Sequence, residues 1–201
     1  MPIPKEVLDR LYIVEQKSMY DISKILQCSV HKVEYWLEKN HISRRNQSDA
    51  NYAKYNPDGE PFQIKEDFSI QEQNLYYLAL GLYWGEGGKT NYHSARLTNS
   101  DPALVLIYYQ FLTIICQIKF DKIRFNLQTF KDNNIIAAKE YWSKRLKISP
   151  DKINTCSPIP PQGKGTYKRI SQYGVMTVGV YNTHFRAWMM EQLAKLGYNP
   201  D

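Results

Sequence analysis

The feature that most constrains this chain is an uncharged run at residues 75–84, in which Gly81 is followed four residues later by Gly85. Helical geometry puts residues four apart on one face. The spacing therefore predicts a helix over residues 71–86 with a notch in one side, where another helix can approach at backbone distance. Leu78 and Leu82 flank that notch, so Leu78, Gly81, Leu82 and Gly85 are the expected contact surface. With no charge along the run, the helix is expected to be buried nearly all round, against its own sheet on one side and a partner on the other. Gly87-Gly88 ends it and Glu86 emerges at its C-terminal tip. There the helix dipole is negative and favours a cation, so the carboxylate is poised to bind a divalent metal. A solvated helix-end carboxylate beside a glycine cap is the plainer alternative.

The 201 residues suffice for one to two small domains with proper cores. Three widely spaced cysteines, Cys28, Cys116 and Cys156, argue against a disulfide framework. Cys28 and His31 have a zinc-like gap, but no second tight pair accompanies them, and a small buried thiol is the better reading. No signal peptide is expected in MPIPKEV, and the apolar run is too short to cross a membrane. A soluble, cytoplasmic setting follows as the expectation.

Residues 1–45 read as three short helices at about 5–16, after a cap at Ser18 or Asp21 with Ile22, Ile25 and Leu26 inward, and at 30–39 after a cap at Ser29. The last two form a helix-turn-helix pattern. In DNA recognition the third helix would offer Ser29, His31, Lys32, Glu34 and Tyr35 to the major groove, with Arg44 and Arg45 on phosphate or in the minor groove. A three-helix knot that only packs is the alternative. Residues 46–67 are polar, contain the turn Asn56-Pro57-Asp58-Gly59 and read as a linker. The domain at 68–201 then alternates: strands at 95–99, 122–130, 152–159 and 175–181, helices at 71–86, 101–115, 134–146 and 184–196. This is an α+β class with helices on one sheet face.

Residues 79–87, Ala-Leu-Gly-Leu-Tyr-Trp-Gly-Glu-Gly, resemble the motif of the LAGLIDADG homing endonucleases. Gly81 and Leu82 match, Gly85 stands at the small second alanine, Glu86 at the catalytic acid and Gly87 at the terminal glycine. Trp84 departs, because the family has a smaller or polar residue there. The resemblance covers about residues 70–198 and implies a mixed αββαββα sheet domain, here with an inserted helix at 134–146 and an inserted basic loop. It also implies Mg²⁺ held by Glu86, with Lys89 near the scissile phosphate or as a surface lysine. One motif per chain implies a homodimer, in which two Glu86 side chains meet at a two-fold axis.

The strand at 122–130 carries the second signal. Ile123, Phe125, Leu127 and Thr129 fall on one face; Lys122, Arg124, Asn126 and Gln128 fall on the other, with no acid among them. Such a row suits base edges and phosphates in a major groove. Arg96, Thr98, Thr177 and Tyr181 extend it, and Lys164, Lys168 and Arg169 read as phosphate contacts from a loop. Charge distribution agrees: residues 117–171 hold twelve Lys/Arg against four Asp/Glu, an excess of +8 that is larger than the whole chain's net +6. Other nuclease designs fit poorly, since no Ser/His/Asp set or Gly-rich phosphate loop stands out.

The sequence therefore predicts a duplex-DNA-binding homodimer that hydrolyses phosphodiesters with Mg²⁺. The alternative is a non-cleaving regulator on the same fold, as in the WhiA-like regulators, and a weaker one is an RNA maturase.

Overall fold

A computed structural model describes residues 2–56, 59–160 and 171–199, apart from the side chains of Gln47 and Ser48. The chain divides into two compact units, Met1–Pro61 and Phe62–Asp201.

In the first unit, α1 (Lys5–Leu8) continues as a wider-wound helical segment, Asp9–Val14, followed by α2 (Met19–Ile25), α3 (Val30–Lys39) and α4 (Gln47–Tyr55). Ser18 and Asp21 cap α2 reciprocally, and the Ser29 hydroxyl accepts from the Lys32 N–H at the start of α3. Leu8, Leu11, Tyr12, Ile22, Val33 and Leu37 form the core. Two expectations change. Ile25, expected inward, is half exposed. The stretch expected to be a linker holds α4, which starts because the Asn46 side chain accepts from the Asp49 N–H; a good cap prevails there over weak apolar periodicity.

The second unit begins at Phe62 rather than near Phe68. Gln63 N–H donates to the Cys116 carbonyl at 3.0 Å, Lys65 N–H donates to that of Ile115 at 2.9 Å, and Phe62 and Ile64 pack on the core. Helix α5 (Ile70–Glu86) is opened by a reciprocal Ser69–Glu72 cap. Lys65 and the Ser69 backbone and hydroxyl hold the Glu72 carboxyl down at about 2. After β1 (Ala95–Asn99), Asp101 caps α6 (Pro102–Gln110), which runs on as Phe111–Ile115. Then come β2 (Ile123–Gln128), α7 (Ile135–Leu146), β3 (Ile153–Thr155), β4 (Val175–Val180) and α8 (Thr183–Lys195).

The sheet order is β1-β4-β2-β3, antiparallel except for the parallel pair β2–β3. A parallel pair needs a crossover, and α7 supplies it. The observed order is αβαβαββα, the order in which the sequence reading sets its helices and strands; it differs from the αββαββα that the resemblance implies, because a helix joins β1 to β2. The stretch after Gly87 is polar and makes a single bridge, Gly87 to Leu97. The Asp101-Pro102 start then sends the chain into a helix directly after β1. Helices α5, α6 and α8 cover one sheet face, with Leu97, Phe125, Leu127, Met176 and Val178 buried beneath them. No helix among the described residues is long and apolar enough to cross a membrane.

Candidate nucleic-acid interface and acidic helix end

Strand register arranges the open sheet face in rows. Arg96 on β1 lies opposite Gly179 on β4, and Gly179 lies opposite Arg124 on β2. The next row runs Thr98, Thr177, Asn126, Asn154 across all four strands. No acid stands in either row. Gly179 is required between the two arginines, since a Cβ there would come within 2.4 Å of the Ala95 carbonyl and 2.6 Å of the Arg96 side chain. The Arg96 guanidinium lies 5.6 Å from the Tyr181 ring centre. Thr98 and Thr177 share a hydrogen bond of 2.8 Å. Two side chains of β2 bond to backbone: the exposed Arg124 donates to the Asp121 carbonyl, and Gln128 Nε2 donates to that of Ser157 at 2.8 Å. Lys122 sits one residue before β2, in a turn of 3₁₀ helix. Lys164, Lys168 and Arg169 lie outside the described residues.

In the first unit the candidate contacts divide. His31 and Tyr35 are exposed on α3, with His31 Nδ1 3.5 Å from a Glu34 carboxylate oxygen; Lys32 is half-buried. Ser29 is engaged as the cap. Arg44 pairs with Glu34. Arg45 stacks over the Tyr12 ring at 4.1 Å and donates to the Tyr12 and Lys17 carbonyls, so it packs within the unit.

Helix α5 has one buried face, Ala79, Leu80 and Tyr83, and one bare face. Its burial all round is not realised among the described residues: Leu78 is 51% exposed and Trp84 39%, with Gly81 and Gly85 open and Leu82 half-buried. A methyl group built on Gly81 or Gly85 meets nothing within 4 Å. Interior helix glycines cost about 1 kcal/mol each relative to alanine, and packing among the described residues gives no reason for either. Trp84 lies edge-on to Tyr198, ring centres 5.5 Å apart.

At the tip Glu86 is exposed, and the Gly88 N–H donates to the Arg96 carbonyl at 2.9 Å. The acid thus stands at the edge of the strand that carries Arg96 and Thr98. Gly87 is needed because the Tyr83 ring fills the space where its Cβ would go. Lys89 Nζ donates to the Gly87 carbonyl at 3.0 Å and lies 5.9 Å from the Tyr83 ring centre. Burial, then the nearby Arg186 charge, hold the Lys89 ammonium below the usual lysine range, while Glu86 pulls the other way. Burial raises the Tyr83 phenol, and it raises Tyr108, stacked on it at 5.9 Å, further still.

Among the described residues no three His, Cys, Asp or Glu side chains gather into a metal-binding group. No family model, curated protein or solved structure matches this chain.

Sequence reasoning missed Asn154, Gly179 and Arg186. Glycine inside an alternating strand signals close backbone approach, so Gly179 was detectable. Arg186 occupies the buried stripe of α8 with Met189 and Leu193, an arginine at an apolar position.

Proposed function

We propose that the chain is a DNA-binding protein acting as a homodimeric, metal-dependent endonuclease of the LAGLIDADG type. The observation that carries this reading is the bare, glycine-notched face of α5, which leads to an exposed Glu86 at the edge of a sheet whose Arg96–Arg124 and Thr98–Asn154 rows hold no acid. Two copies meeting notch to notch would bring two Glu86 carboxylates together and complete the half-site each holds. A Mg²⁺ ion bound there would supply the charge that lowers the pKa of an attacking water. The chain's own residues do the rest. Glu86 orients the reacting phosphate group's surroundings, and Lys89 offers a cation to its oxygen. Arg96, Thr98, Thr177, Asn126 and Arg124 hold the duplex through phosphate and groove contacts. In the first unit, His31, Lys32 and Tyr35 on α3 extend the footprint as a helix-turn-helix.

Trp84 favours a second reading, a regulator that binds DNA without cutting it. It is a bulky, partly exposed residue beside the glycine-notched face where backbones would have to approach, with its ring edge-on to Tyr198.

The test is supercoiled plasmid incubated with protein and Mg²⁺, alongside Glu86→Ala. Mg²⁺-dependent nicking that Glu86→Ala loses while still shifting DNA on a gel is the expected result. DNA bound by both proteins and nicked by neither overturns the enzyme in favour of the regulator.

A further inference from the structure

Arg186 is the least explained charge of the second unit. It lies in the first turn of α8, is 5% exposed, and has no carboxylate partner among the described residues. Its Nη2 donates to the Lys89 carbonyl at 2.6 Å; its Nε is buried without a hydrogen-bond partner among those residues. Burying a guanidinium without a counter-charge is costly, and the positions that share its stripe are apolar. Packing alone would put an apolar side chain there.

What Arg186 touches is the loop after Glu86. Three successive carbonyls of that loop are each taken by a side chain. Lys89 Nζ donates to Gly87 at 3.0 Å, Tyr83 Oη donates to Gly88 at 3.0 Å, and Arg186 Nη2 donates to Lys89. Only the last comes from a helix distant in sequence. The Lys89 ammonium is left between two rings, 5.9 Å from the Tyr83 centre and 5.8 Å from that of Tyr198, with Glu86 three residues before it.

We propose that Arg186 is the positioning residue for Lys89: it clamps the Lys89 backbone from α8, so that the ammonium is held beside the tip of α5 where a phosphate oxygen is to be met. This rests on the reading of Lys89 as the cation that acts on the phosphate. Arginine suits the task better than lysine, because its planar fork fixes direction at a carbonyl. The cost of the buried charge then has a use, since the same group both anchors the loop and biases the side chain it carries.

The test is the Lys89 Cε–Hε resonance in uniformly ¹³C-labelled protein, assigned by its loss in Lys89→Arg and compared in wild type, Arg186→Lys and Arg186→Gln. The signal is expected away from the exposed lysines in wild type, displaced by the two rings. It should collapse onto them in Arg186→Gln and be partly restored in Arg186→Lys, with core signals such as the Trp142 indole unchanged. A Lys89 signal that stays put in folded Arg186→Gln overturns the proposal. If Arg186→Gln does not fold, wild type and Arg186→Lys decide. A displaced wild-type signal that moves in Arg186→Lys supports the clamp; one averaged already in wild type, or unmoved in Arg186→Lys, refutes it. No DNA cleavage is needed, so failure here is separate from failure of the nuclease reading.

Discussion

The first unit and the open sheet face both carry arginines aimed by sequence at DNA, and the chain disposes of them in opposite ways. In the first unit Arg44 is neutralised by Glu34, and Arg45 is spent on the Tyr12 ring and two carbonyls. On the sheet, Arg96 and Arg124 flank a glycine in rows that contain no carboxylate. A cation in a sequence is therefore not a cation available to a phosphate. Availability depends on whether the fold pairs the cation with an acid, as at Arg44, or packs it within its unit, as at Arg45; Arg124 bonds only neighbouring carbonyls and stays exposed.

The largest effect that would break this contrast is expected at Gly179. A valine there collides with the Ala95 carbonyl and with Arg96, which separates β1 from β4 and dismantles the row. Gly179→Val should cost ~3 kcal/mol in chemical denaturation of the second unit, in line with overpacking at a site that cannot relax. A change under a few tenths would mean that the two strands have room to spare. Next comes Arg45→Ala, expected to destabilise the first unit by ~2 kcal/mol through lost charge-assisted hydrogen bonds, without altering the salt dependence of DNA binding. If the salt dependence flattens instead, Arg45 reaches phosphate and the contrast fails. Arg96→Ala combined with Arg124→Ala should behave in the reverse sense: stability nearly unchanged, and a slope of log K against log salt reduced by roughly 2. Titrations of a labelled duplex at several salt concentrations measure this.

The smallest effect concerns the start of α5. Glu72 titrates at about 2 in the fold against 4.5 for an ordinary glutamate, held down first by its hydrogen bond from Lys65 and then by Ser69. Its folded value is depressed, so its contribution is fully present above pH 4.5 and disappears as pH falls through 2. Thermal unfolding of Glu72→Gln should accordingly lose less between those limits than wild type does. Parallel curves would show that the cap carries no charge-dependent stability.

Much of the fold was legible because apolar periodicity is local. The 3.6-residue stripes of α3 and α7 and the strict alternation of β2 can be read from ten neighbouring residues. The α4 helix was not, because QSDANYAKY has little stripe and depends on the Asn46 cap. Within the candidate site, the open row of β2 was visible in advance, but the bond from Gln128 to the Ser157 carbonyl was not, because the two lie 29 residues apart. Arg186 was hidden for the same reason: its partner is 97 residues away. The bare face of α5 was read as buried, since an apolar run says that a surface will be covered and not by which molecule.

That uncovered face bears the central claim, that two copies join their α5 helices and bring their acidic tips together. Spin labels at Glu86→Cys, with Cys28 and Cys156 replaced by serine and the buried Cys116 retained, report the separation directly. Helices in notch-to-notch contact lie ~8–10 Å apart or closer, so strong dipolar broadening between the two labels is expected in the DNA-bound particle. Spectra without broadening, identical to those of protein diluted with unlabelled chain, would contradict it.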